Sequence, residues 1–251
     1  MNRIVSLFDY TGSWPAPFEE NGWDAYTLDI KDGIDVLFYD SVEQVLTDFE
    51  DINGILAAPP CTHFTVSGAQ YWGVKDEDGR TKKALELVYQ VFRFADLIYP
   101  TDPDYLAEMN KPFFWCFENP VGRLPKLIPG IGKPKYFDPC DYAGHLDLTD
   151  SDHNELDRIR RKDAKGVTKE EVEFVVECNA YTKKTGLWGD FNRNLEVKRI
   201  EPVRVCKQGS PIQRLGGKSE KTKRLRSITP AGFAKAFFEA NKEYQAEMIE
   251  F

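Results

Sequence analysis

The chain has 251 residues, of which 41% are hydrophobic and 13% aromatic, with 5 cysteines and a formal net charge of −8. That length and composition predict one domain of ordinary size, with at most a small appendage, and exclude a disordered chain. No apolar run reaches the roughly 18–20 residues that span a bilayer, the N-terminal residues lack a signal-peptide pattern, and an odd, unspaced set of cysteines argues for a reducing cytoplasm.

In chain order, apolar runs predict strands over Ile4–Phe8, Ala25–Asp29, Val36–Phe38, Gly54–Ala58 and Phe113–Glu118. Helical patterns lie between them at Pro17–Asn21, Ser41–Phe49 and Arg80–Tyr99. In the last of these, Ala84, Leu87, Val88, Val91, Phe92, Ala95 and Leu97 form one apolar stripe. Strands alternating with helices predict an α/β fold built on a doubly wound, mostly parallel sheet, with ligands at the carboxyl ends of the strands. Gly122–Asp141, rich in Pro and Gly, reads as an extended loop. Residues 149–163 and 168–178 read as charged helices capped by Thr149 and Thr168. Segment 190–226, polar and basic, reads as loops with room for short strands, and Ala231, Phe233, Ala234, Phe237 and Phe238 predict a closing helix that packs on the sheet.

Charge is unevenly spread. Residues 183–226 hold 13 Lys and Arg against 4 Asp and Glu, a net of +9 that leaves −17 for the remainder. Such asymmetry suggests a basic binding face on an acidic body, with a solvated Lys-rich loop as the alternative. Cys140, Cys178, Cys206, His145 and His153 are too scattered for a structural zinc site, so no metal is expected.

Three places could carry chemistry. The first strand ends in Phe8-Asp9-Tyr10-Thr11-Gly12-Ser13, a glycine-bearing turn where a doubly wound sheet admits a nucleotide-like ligand. Asp29 ends the next strand, placed for a ribose diol. An ordinary strand–turn–helix is the alternative. Pro59-Pro60-Cys61 follows a buried strand, and two prolines stiffen the backbone that presents the thiol, as a nucleophile requires; a buried structural cysteine is the alternative. Trp115-Cys116-Phe117-Glu118-Asn119-Pro120 puts a carboxylate at the end of an aromatic strand, where desolvation would keep it protonated near neutral pH. A loop-capping glutamate is the plainer reading.

Together these motifs resemble the DNA cytosine carbon-5 methyltransferases, in their compact phage and prokaryotic form. Pro60-Cys61 with Phe64-Thr65 resembles the family's Pro-Cys-x-x-Phe-Ser motif, and Glu118-Asn119-Pro120 its Glu-Asn-Val motif. Ser6 through Gly12 resembles the cofactor motif Asp-Leu-Phe-x-Gly-x-Gly, with Tyr10 and Ser13 replacing glycines. Thr182-Lys183-Lys184-Thr185 resembles a variant of Gln-x-Arg-x-Arg, and Arg226-Ser227-Ile228-Thr229-Pro230 the closing Asn-Ser-Val-Pro-Pro motif.

The resemblance implies a Rossmann-like S-adenosylmethionine domain over 1–189 with a charged insert at about 143–180. It further implies a reduced basic recognition segment over 190–225 and a C-terminal helix, 226–251, that returns to the catalytic domain. S-adenosylmethionine would be held by Phe8, Asp9, Tyr10, Thr11, Gly12, Asp29, Ile30, Asp35, Pro59 and Ser227. Cys61 would be the nucleophile, Glu118 the acid and Lys183 a neighbour of the base. Pro60, Thr62, Phe64, Asn119, Pro120, Lys184 and Thr185 would meet the substrate, and Arg204, Lys207, Arg214, Lys218, Lys223 and Arg224 the phosphates. The partner implied is DNA, read with little or no sequence specificity, and the stretch Thr62–Lys82 would be a mobile loop closing over the target base. Three alternatives stay open: the same chemistry on a free cytosine nucleotide, a transferase using a modified S-adenosylmethionine, and a non-catalytic binding protein on the same scaffold.

Overall fold

The computed structural model describes residues 1–39, 52–98, 113–163, 166–204, 215 and 219–244. The fold is α/β with a six-stranded mixed sheet. Two compact units divide the chain: Met1–Lys135 with Thr185–Arg193 and Asn241–Phe251, and Tyr136–Lys184 with Asn194–Ala240.

The strands are β1 (Arg3–Leu7), β2 (Asp24–Leu28), β3 (Ile52–Ala57), β4 (Phe114–Pro120), β5 (Lys135–Phe137), which straddles the boundary between the units, and β6 (Thr185–Asp190). The first unit contains the run β2-β1-β3-β4-β6. Pairs β1–β2, β1–β3 and β3–β4 are parallel, and β6 runs antiparallel to β4. Every residue of β3 is buried, which is why that segment reads as an unbroken apolar run. From β1 the chain turns to one side for β2 and returns to the other side for β3. The order therefore reverses at the β1/β3 boundary, where open α/β sheets leave a crevice at their carboxyl edge.

The helices of this unit are α1 (Ala16–Glu20), α2 (Trp72–Glu77), α3 (Arg80–Ile98) and the single turn α4 (Leu124–Leu127). Ala84, Val88, Val91, Phe94 and Ala95 of α3 join Val5, Leu28, Ile55 and Phe117 in one core cluster. Phe114 packs against Phe18 and Trp23, with ring centroids 5.7 and 6.4 Å away. Each such fully buried side chain contributes about 1.5–3 kcal/mol.

Two expectations are corrected by these elements. Val36–Phe38 is a 3-10 turn, not a strand. Only Val36 of the three is buried, and the buried Gln90 amide on α3 donates to the carbonyls of Val36 (3.1 Å) and Tyr39 (2.5 Å), so this backbone is satisfied outside the sheet. The Pro- and Gly-rich stretch Gly122–Asp141 is not one extended loop, for it holds α4, β5 and a 3-10 turn at Pro139–Asp141. The helix expected at Ser41–Phe49 lies outside the described residues.

In the second unit, α5 (Asp150–Arg160) and α6 (Lys169–Glu177) start where Thr149 and Thr168 predict. Both threonines accept from the third backbone N–H of their helix and receive a carboxylate in return, forming capping boxes. Leu156, Ile159, Val172, Val175 and Val176 form the core between these helices. Glu171 collects Arg158, Lys162 (2.5 Å) and the Thr168 N–H (2.9 Å). A helix the sequence reading missed, α7 (Glu220–Ser227), occupies the end of the segment expected to be loops. It has no long apolar stripe to announce it; Ser219 caps it, and Thr222 is buried. The closing helix is α8 (Ala231–Asn241), whose Phe233 stacks on Phe137 at 4.0 Å and meets Tyr142 at 5.7 Å.

Candidate active site at the carboxyl edge of the sheet

The first unit gathers Cys61, Glu118 and the turns that follow β1 and β2 at one edge. In the β3–β4 register Ala57 stands opposite Phe117, so the chain leaves β3 toward Cys61 beside Glu118, Asn119 and Pro120. Asn119 is fully buried, and its amide donates to the carbonyl of Pro59 at 3.1 Å. Cys61, half-buried, opens a 3-10 turn over Cys61–His63, and its carbonyl accepts from the N–H groups of Phe64 (2.9 Å) and Thr65 (3.2 Å). Glu118, half-buried in β4, faces Leu187 across the β4–β6 ladder, and Pro120 faces Thr185.

The turn that carries Cys61 is braced from outside. Lys75 of α2 donates to the Thr62 carbonyl at 2.8 Å, and Arg123 donates to the His63 carbonyl from Nε (3.2 Å) and to the Phe64 carbonyl from its backbone N–H (2.9 Å). Three successive carbonyls after the thiol are thus occupied. The Arg123 guanidinium also grips both oxygens of Asp76 at 2.8 Å, bonds Thr81 at 2.8 Å, and lies 4.8 Å from the Trp72 ring. Arg123 and Lys75 are each only 7% exposed. Gly122 permits this approach, since a Cβ there would stand 2.0 Å from the Phe64 carbonyl oxygen. Sequence reasoning missed Lys75, Asp76, Gly122 and Arg123, because isolated cations in a polar stretch read as solvent-facing. It also read Thr62–Lys82 as a mobile loop, whereas the stretch folds into a 3-10 turn (Val66–Tyr71), α2 and the start of α3.

Burial holds the His63 imidazole below its ordinary 6.5, and the charges of Lys75, Arg80 and Arg123 push it the same way. The Asp76 carboxyl is held down at about 2, chiefly by its bond from Arg123 and then by Thr81.

At the end of β1, Phe8 adopts φ +60°, uncommon for a side chain of that bulk, while its N–H bonds the Leu28 carbonyl at 2.7 Å. Asp9 organises the turn that follows. Its carboxylate accepts from Ser6 Oγ (3.0 Å), the Thr11 N–H and Oγ1 (3.2 and 2.7 Å) and the Gly12 N–H (3.0 Å). Gly12, at φ +63°, supplies the left-handed conformation the turn needs. At the end of β2, Asp29 Oδ1 caps the turn Ile30–Asp32 by accepting from the Lys31 N–H at 2.8 Å. Asp35 does the same for Leu37 at 3.0 Å. The second oxygen of each carboxylate has no partner among the described residues. Ile30 is exposed, and Lys31 Nζ sits 3.6 Å from the Tyr10 ring centroid.

No protein-family model matches the chain, and neither does any curated protein.

The other expected residues belong to the second unit. Lys184 Nζ lies 4.7 Å from the centroid of the exposed Tyr136 ring. Lys223 pairs with Glu220 at 2.5 Å, and Ser227 Oγ bonds the Arg224 carbonyl at 3.0 Å. Lys183 is half-buried, and Arg204 and Arg224 are exposed. Lys207, Arg214 and Lys218 lie outside the described residues. Among the described residues no helix is long and apolar enough to cross a membrane, and no group of three His, Cys, Asp or Glu side chains could hold a metal ion.

Proposed function

We propose that the chain is an S-adenosylmethionine-dependent cytosine carbon-5 methyltransferase acting on DNA, built on a class I methyltransferase scaffold. The observation that carries the reading is the Asn119–Pro59 bond across the β3–β4 register, which ties the Cys61 turn to the strand bearing Glu118. A nucleophile and an acid on adjacent strand ends, beside a topological switch point, form the arrangement that covalent activation of a flat ring requires. S-adenosylmethionine fits the end of β1 and β2. Asp29 and Asp35 each keep one carboxylate oxygen for a ribose hydroxyl or an adenine amine, and exposed Ile30 offers an apolar face. When bound, it supplies an electrophilic methyl group.

Carbon-5 of cytosine is a weak nucleophile until carbon-6 is saturated. The Cys61 thiolate adds to carbon-6, and Glu118 hydrogen-bonds and protonates ring N3, so the negative charge does not accumulate on the ring. Carbon-5 then takes the methyl group, loses its proton to a base, and Cys61 leaves as the carbon-5–carbon-6 double bond re-forms. A base in a duplex reaches both groups only out of its stack, at a cost of a few kcal/mol. The positive charge of residues 183–226 supports a phosphate-bearing polymer as the substrate. The shortness of that segment supports weak sequence preference.

The test is incubation with S-adenosylmethionine and cytosine-containing DNA or dCMP, followed by mass spectrometry of the base. We expect 5-methylcytosine in DNA, and a covalent adduct with 5-fluorocytosine DNA that the Cys61→Ala protein does not form. Methylation of dCMP alone would move the substrate to the nucleotide, and the absence of both products would end the assignment.

A further inference from the structure

Lys75 is buried in α2, and the one bond its ammonium makes among the described residues is to a carbonyl, that of Thr62 at 2.8 Å. Buried ammonium groups ordinarily face a carboxylate, because an unpaired charge away from water is costly. The carboxylates around it are otherwise engaged. Asp76 is held by both terminal nitrogens of Arg123, and Asp78 by Arg80 at 2.6 Å. Glu77 is exposed. Glu118 lies on β4, His63 on the nucleophile turn itself. Lys75 therefore brings a positive charge, bonded to no carboxylate among the described residues, to the Thr62–His63 peptide next to Cys61.

We propose that Lys75 is the counter-charge that keeps Cys61 in its thiolate form. The inference rests on the methyltransferase reading only in taking Cys61 as the nucleophile. On ionisation the thiol proton passes to solvent, and the sulfur anion is left near a buried ammonium fixed on the carbonyl of the next residue; a cation within about 4–6 Å of a thiol favours its charged form. His63, two residues beyond Cys61, registers this field: burial lowers its imidazole most, and Lys75 is the foremost of the charges that lower it further. The same field that disfavours an imidazolium favours a thiolate. Lys75 is a positioning residue in this role, acting through its charge and through the Thr62 carbonyl it holds.

The experiment is the pH dependence of Cys61 alkylation by iodoacetamide, in which the thiolate displaces iodide, followed residue by residue by peptide mass spectrometry. It uses the full chain without cofactor or DNA. In the native protein the half-maximal rate should fall at least one pH unit below the roughly 8.5 of an ordinary cysteine. Lys75→Met should move the midpoint upward and slow alkylation at pH 7 about tenfold, and Lys75→Arg should restore it to within about twofold. A native midpoint at the ordinary cysteine value overturns the proposal without any variant, as does a Lys75→Met profile that overlays the native one. Equal loss in the Met and Arg variants overturns it too, since packing and not charge would then be at work. Because alkylation needs neither substrate, a depressed midpoint without methyl transfer rejects the methyltransferase reading and leaves this inference standing.

Discussion

The side-chain amide of Asn119 donates to the carbonyl of Pro59 at 3.1 Å, from the end of one strand to the turn that leaves its parallel neighbour. Both groups are cut off from water, so the bond fixes the spacing between Cys61 and Glu118 more firmly than an exposed contact would. Asn119→Ala leaves the Pro59 carbonyl unpaired, a loss of about 1–3 kcal/mol. We expect thermal denaturation to show that loss, and turnover per folded molecule to fall at least tenfold with cofactor affinity unchanged. Equal turnover per folded molecule would reduce the bond to a structural tie.

Gly122 makes a sharper prediction. A methyl group there would meet the Phe64 carbonyl oxygen at 2.0 Å and the Thr65 Cα at 3.0 Å, both backbone atoms that cannot swing aside. Gly122→Ala must therefore open the contact between the nucleophile turn and the segment after β4. Its melting temperature should drop by several degrees, and Cys61 should lose its reactivity toward 5-fluorocytosine DNA. A variant with native stability and native adduct formation would show that this contact is dispensable.

Asp76 links the same contact to pH. The folded protein holds its carboxyl at about 2, below the ordinary 3.8, so the unfolded chain binds that proton more readily. The stabilisation is complete above about pH 4 and is lost as pH falls through 2. Asp76→Asn should therefore narrow the gap in melting temperature to the native protein as pH is lowered from 6 to 2. A gap that stays constant over that range would mean that the carboxylate's charge contributes nothing.

How much of this was legible follows from burial. β1, β3, β4 and α3 could be read because their apolar positions are mostly buried, on both faces of the sheet in the strands and along one stripe in α3, so the side-chain pattern and the environment agree. Val36–Phe38 has the same composition but places Leu37 and Phe38 outside, and the Asp35 cap together with the distant Gln90 settles its conformation. Cys61 and Glu118 stood out because one follows a strand and the other sits near the end of one. Lys75 and Arg123 did not, because nothing local distinguishes a cation that will be buried against a carbonyl from one left in solvent. The capping boxes of α5 and α6 were legible for the opposite reason, being written within four residues.

Asp29 allows its two roles to be separated by choice of substitution. One oxygen accepts from the Lys31 N–H at 2.8 Å, a capping bond that a serine hydroxyl can also make. The other oxygen is the one that would meet a ribose hydroxyl of S-adenosylmethionine, and serine cannot supply its charge. Asp29→Ala should lose both, costing about 0.5–2 kcal/mol of stability through the cap together with cofactor affinity. Asp29→Ser should keep the native melting temperature and still bind S-adenosylmethionine at least tenfold more weakly, since a hydrogen bond to a charged group is worth about 1.5–3 kcal/mol. Calorimetric titration and thermal denaturation of the two variants test both halves. If Asp29→Ser binds as tightly as the native protein, the carboxylate is only a cap. The cofactor would then have to be sought away from the end of β2.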